Sequence, residues 1–148
     1  RTGALDDAAA NDGFNLVTQQ TAEWNAEKAQ QIVQSVIDAG TPFNVIYAEN
    51  DDMAKGAVAA LDKANISHGV GKDVIVMGFD CNKWALEELK AGNWNYDGQC
   101  NPFQASYIDD IIKKLENGET ISEKTIIMDE KGFDATTITQ EDVDNYGI

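Results

Sequence analysis

Trp24, Asn50, Asp80, Gln99 and Cys100 are the residues best placed to do chemistry, because each stands at or just past the end of a short apolar segment. Thr21, Glu23 and Trp24 follow FNLVTQ. Asn50 follows NVIYAE, Asp80 follows DVIVMGF, and Gln99, Cys100 and Asn101 close the run that begins WNYDG. If these segments are strands of one parallel sheet, their carboxyl ends share a rim, and open α/β sheets bind ligands at that rim. Amide and carboxylate groups each reach two neighbouring hydroxyls, with a geometry that separates epimers. An indole ring covers the apolar C–H face of a pyranose or furanose. The set therefore suits non-covalent capture of a sugar. Each member also has a purely structural reading: Asn50 and Asp80 as helix caps, Trp24 as a helix-start residue packed on the core. For Asn50, capping and ligand binding are compatible. The conjunction of four strand ends is more specific than any single residue.

Other chemistries fail on spacing. GVGKD lacks the pattern of a phosphate loop and follows no strand. His68 is the single histidine and sits in a polar loop, so a Ser-His-Asp triad would have to use it. The run from Asn93 starts like a calcium loop, but it has Asn at the first position and Gln104 at the twelfth, where Asp and Glu are needed. Asn65-Ile-Ser67 fits a glycosylation sequon, a triplet common by chance. No cofactor or metal is implied, and neither a nucleophile–base pair nor a metal cluster is present to make an enzyme.

The elements that must carry the rim alternate. Residues 2–11 read as a helix and FNLVTQ (14–19) as a strand. From Trp24 to Gly40 the apolar residues Ala29, Ile32, Val33, Val36 and Ile37 recur at helical spacing. Strands are expected at 44–49, 73–79, 94–99 and 125–130, with helices after Asn50, at 82–91 and at 103–117. Thr139 with Asp142 predicts a capped last turn. This alternation argues for an α/β fold, a three-layer α/β/α sandwich with a mainly parallel sheet.

The 148 residues fit one domain, and 43% hydrophobic with 25% charged residues is an ordinary globular composition. Twenty-six acidic against 11 basic residues, a net charge of −15, would repel nucleic acid and anionic membrane surfaces. No apolar run approaches the roughly 20 residues of a membrane span. RTGALDDAAAN at the start reads as a helix in progress, so the sequence is expected to begin inside a longer protein.

Several segments carry a resemblance: TAEWNAEKAQQI, YAENDDMAKGAVAAL, GKDVIVMGFD, ALEELKAGNWN, GQCNPF and ITQEDVDNYGI. Nearly end to end, the chain resembles the C-terminal half of the periplasmic sugar-binding proteins of ribose/galactose type (type I). The resemblance implies a non-catalytic, extracytoplasmic, membrane-anchored bacterial protein that captures a pentose or hexose, in pyranose or furanose form. It would deliver that sugar to an ABC transporter permease. It also implies ligand contacts at Arg1, Trp24, Asn50, Asp80, Gln99 and Cys100. Many ribose-binding relatives carry Gln where Cys100 falls, and Cys-Asn-Pro looks closer to the galactofuranose-type branch. Residues 1–101 and about 120–148 would form the C-terminal lobe. The helix at 102–118 would cross to the N-terminal lobe, which would precede Arg1; without that partner it would expose Tyr107, Ile111 and Leu115. The same fold serves as the sugar-sensing domain of LacI-like transcription regulators, the alternative reading.

Cys81 and Cys100 are expected to pair, because each directly follows a strand-end residue. Neighbouring strands run about 4.8 Å apart, and a disulfide spans Cα separations of roughly 4.4–6.8 Å. An extracytoplasmic location would favour the bond.

Overall fold

Side-chain caps set the starts of three helices. In the computed structural model, which describes residues 1–148, Asn25 Oδ1 accepts from the Lys28 amide at 2.9 Å and opens helix α2 (Ala26–Asp38). Asn50 Oδ1 accepts from the Met53 amide at 2.8 Å and opens α3 (Asp51–Lys63). Thr139 and Asp142 satisfy each other's backbone amides in a full capping box that opens α6 (Gln140–Tyr146). Each cap supplies an acceptor to an amide that the helix itself leaves without a partner.

The remaining helices are α1 (Thr2–Asn11), α4 (Lys83–Lys90) and α5 (Ala105–Glu116). Between them run β1 (Val45–Tyr47), β2 (Ile75–Asp80), β3 (Tyr96–Gln99) and β4 (Gly132–Asp134). The sheet order is β1-β2-β3-β4. The first three strands are parallel, with Tyr47 beside Met77 and Asp80 beside Gln99. β4 runs antiparallel to β3 and sets Phe133 opposite Asp97. The fold is α/β with a mostly parallel open sheet, as the alternation of elements predicts.

The core lies where α3, α4 and α6 meet the sheet. Leu61, Val76, Leu86, Leu89 and Val143 are fully excluded from solvent, and Trp94 nearly so. Each buried large aliphatic side chain contributes about 1.5–3 kcal/mol relative to exposure. α2 packs on α3 at Gly56, where a Cβ would stand 2.0 Å from the Ala26 carbonyl oxygen. Only glycine lets the two backbones approach so closely.

Two expected strands are absent. FNLVTQ forms no ladder, and Phe14, Leu16 and Val17 stay exposed. TIIMDE likewise forms none, and Ile127 is 88% exposed. Both segments have strand-like composition, but a strand also needs a neighbour for its amides and carbonyls. The last strand is instead Gly132–Asp134, whose Phe133 reaches the core. Gly132 is required there, because a Cβ would lie 2.0 Å from the Tyr96 hydroxyl oxygen.

α5 contrasts with the rest. It buries none of its residues, and Tyr107, Ile108, Ile112 and Leu115 are exposed, while Ile111 is half-buried. No helix is long and apolar enough to cross a membrane.

Candidate functional site

The carboxyl ends of β1, β2 and β3 bring Arg1, Glu49, Asn50, Asp80 and Gln99 to one edge of the sheet. Arg1 precedes α1, and its guanidinium Nη2 donates to Asp80 Oδ1 at 2.8 Å. Nη1 donates to the Glu49 carbonyl oxygen, and the guanidinium lies 5.1 Å from the centre of the Phe79 ring. Asp80 and Gln99 are register partners, so strand pairing holds them side by side. Gln99 is tied to the returning chain: its amide donates to the Lys131 carbonyl at 2.8 Å, and its Oε1 accepts from the Lys131 amide at 3.2 Å. Near these, Glu130 Oε1 accepts from the Asn101 amide at 2.7 Å. The segments leaving β3 and returning towards β4 are therefore joined by side-chain hydrogen bonds.

Backbone strain concentrates in two turns, Glu23–Trp24 and Asp80–Cys81. Of the five non-glycine residues with positive φ, four are Glu23, Trp24, Asp80 and Cys81, with φ of 52°, 59°, 123° and 61°. Such conformations cost on the order of 1–3 kcal/mol each and gather where a chain must aim side chains for function. Trp24 is 61% exposed, so it is not a core residue, and it makes no aromatic or cation–π contact with the Arg1–Asp80 group. Asn50 is nearly buried and caps α3 with Oδ1, which leaves its Nδ2 hydrogens for another acceptor.

The expected Cys81–Cys100 bridge is absent, and both thiols are free. The left-handed turn at Cys81 puts its side chain in the core, whereas Cys100 stays exposed as the chain leaves β3. Burial, with Asp97 close by, pushes the Cys81 thiol well up from its ordinary value, so it is not a reactive group.

Three contributors escaped the sequence reading. Tyr47, Phe79 and Tyr96 form an edge-to-face ladder across three strands, with centroids 5.1 and 6.3 Å apart, and Phe79 supports Arg1. The Tyr47 hydroxyl donates to the Arg1 carbonyl at 3.3 Å. Burial raises the Tyr47 phenol, and Glu49 adds to the effect. Strand alternation places Tyr47 and Phe79 on one face of the sheet, a signal the sequence contained. The Arg1 contact joins residues 79 positions apart and left no local trace.

Chemically, the edge offers a fixed cation–carboxylate pair and two amides. It holds a hydrogen-bonding surface for polar ligands and presents no nucleophile beside a base.

Residues 1–119 match the family model described as "Periplasmic binding protein domain". The chain is similar to a fructose import binding protein of Bifidobacterium longum, 31% identical over 146 residues, which cover 97% of this chain and 42% of that protein. Among solved structures it is similar to an ABC transporter periplasmic solute binding protein of Actinobacillus succinogenes with bound D-allose. That protein has a TM-score of 0.76 and 29% identity, with 97% of this chain and 48% of the other covered. A Mycobacterium smegmatis protein in complex with β-D-fucofuranose gives a TM-score of 0.76 at 26% identity, with 91% and 43% covered. The chain spans less than half the length of each of these proteins.

Proposed function

The chain belongs to the periplasmic binding protein domain family, and on that premise we propose that it is the C-terminal lobe of a sugar-capturing solute-binding protein. The protein works outside the cytoplasm, anchored to the bacterial membrane, and hands a monosaccharide to the permease of an ABC importer. Relatives that import fructose or bind D-allose and β-D-fucofuranose support a pentose or hexose ligand.

The observation that carries the reading is the edge itself: Arg1 paired with Asp80 at 2.8 Å, beside Gln99 in register and Asn50 on the next strand end. In this reading the Arg1 guanidinium and the Asp80 carboxylate each hold sugar hydroxyls, with Arg1 donating and Asp80 accepting. Asn50 Nδ2 and Gln99 add contacts, Trp24 covers the C–H face of the ring, and Cys100 lines the exit towards the hinge. Arg1 and Asp80 satisfy each other when no sugar is bound, so neither charge is left unpaired.

A second lobe, contributed by the remainder of the protein, would close over the ligand and shift an open–closed equilibrium. The 102–118 segment would pack against that lobe, and its exposed apolar residues support this placement. An exposed apolar face of that extent marks an interaction surface.

A thermal-shift screen of monosaccharides on the intact protein tests the proposal. One pentose or hexose should raise Tm by several degrees, while the 148-residue chain alone should respond weakly. A flat response of the intact protein across the panel would overturn the reading.

A further inference from the structure

Asp51 and Asp97 are both completely buried, and neither takes part in an ion pair. Asp51 is the first residue of α3, directly after Asn50, and Asp97 lies two residues before Gln99 on β3. Between them is Gly78, the register partner of Asp97; a Cβ there would stand 2.8 Å from Asp51 Oδ1. Asp51 Oδ2 accepts from the backbone amide and the Nδ2 of Asn82, at 2.8 and 3.0 Å. Asp51 Oδ1 meets no donor on the protein, and the donor that approaches the Asp97 carboxyl is the Cys81 backbone amide. Asp97 and its register partner Gly78 share a face of the sheet, and Asp51 Oδ1 stands over Gly78, so the two carboxyl groups come together there.

Two ionised carboxylates cannot hydrogen-bond to each other, and burying both without a cation is strongly unfavourable. One proton resolves the arrangement by turning one carboxyl into a donor for the other. We propose that Asp51 and Asp97 share a single proton at neutral pH and form a buried positioning pair beneath the rim. The pair has three attachments. Asp51 continues into Asn50, its Oδ2 holds Asn82 and with it the Asp80–Cys81 turn, and Asp97 sits on the strand that ends at Gln99. One proton thus locks the three strand ends together. That these ends form a ligand rim is the reading proposed above; the seat of the proton is independent of it.

The surroundings favour retention of the proton. Asp80 and Cys81 face the pair from the β2–α4 turn and the apolar Phe133 from β4, while Tyr96 points to the other face of the sheet. The Trp94 ring stands against Gly78. The nearby cations are engaged elsewhere: Arg1 on Asp80, Lys83 on Asp144, Lys55 over Trp84 and Lys131 over Tyr146. Burial, reinforced by the charge of Asp51, pushes Asp97 up to about 8. Burial also raises Asp51, with the Asn82 donors pulling the other way. In the unfolded chain both groups return to about 3.8. The folded state therefore binds more protons than the unfolded state in this range. The stability the proton confers is complete below about 3.8 and is lost progressively as pH rises to about 8.

Infrared spectroscopy of the unmutated protein at neutral pH should show the carbonyl stretch of a protonated, buried carboxylic acid. The band should vanish as pH passes about 8 and be absent in Asp97→Asn. Tm of the unmutated protein should fall by several degrees between about pH 4 and pH 8 and then level off, and hydrogen exchange at the Asn82 amide should rise beyond its intrinsic pH dependence as the proton leaves. Asp97→Asn, whose amide can donate to Asp51 in place of the acid proton, should flatten both responses. No protonated-acid band at neutral pH in the unmutated protein would overturn the proposal, whether or not the variant folds. An undiminished pH slope in a folded Asp97→Asn would overturn it as well.

Discussion

The carboxyl edge of β1–β3 and the helix α5 use similar residues in different company. At the edge, polar groups are wired to one another: Arg1 to Asp80 and Glu49, Asn50 to Met53, Gln99 to Lys131. Beneath them the core is closed. In α5 the apolar positions recur with good helical spacing, yet Ile108, Ile112 and Leu115 face solvent. The comparison teaches that helical periodicity records an intended contact, whether or not its partner lies within these residues. The edge can be explained from contacts within this chain, whereas the apolar face of α5 stays exposed.

The sharpest way to break that contrast is to truncate one leucine on each side of it. Leu61→Ala, in the fully buried face of α3, should destabilise the fold by about 3 kcal/mol. Leu115→Ala should stay within about 0.5 kcal/mol in the isolated chain, because 54% of Leu115 is exposed. Denaturant unfolding of both variants measures this, and equal losses would show that α5 is anchored after all.

A smaller effect is expected where α3 packs on α2 at Gly56. Gly56→Ala drives a methyl group against the Ala26 carbonyl and should cost about 1–3 kcal/mol. Loss of stability with unchanged sugar affinity would separate packing of α3 from its cap. The smallest effect should have the opposite sign. Trp24→Gly relieves a left-handed tryptophan and should stabilise the fold by about 1 kcal/mol, while weakening sugar binding in the intact protein. If binding is unaffected, Trp24 is not the stacking residue.

Much of this was legible in the residues. Asn50 and Thr139 announced their helices, because a cap acts within three positions of itself. Val74, Val76 and Gly78 marked a central strand by an apolar run. FNLVTQ and TIIMDE misled, since strand composition does not supply a pairing partner. The Cys81–Cys100 expectation rested on register alone and missed the left-handed turn that separates the two side chains. Asp97 stayed hidden because a carboxylate in a strand reads as a solvent-facing residue. Its burial beside Asp51 depends on contacts 46 positions apart in sequence, between α3 and β3.

The central claim is that the edge built around Asp80 is a sugar site. Calorimetric titration of the intact protein with the monosaccharide that most raises its Tm tests it directly, alongside Asp80→Ala and Asn50→Ala. A bound hydroxyl left without its partner costs about 1–3 kcal/mol, so each variant should bind roughly tenfold or more weakly while remaining folded. Unchanged affinity in both variants would contradict the assignment.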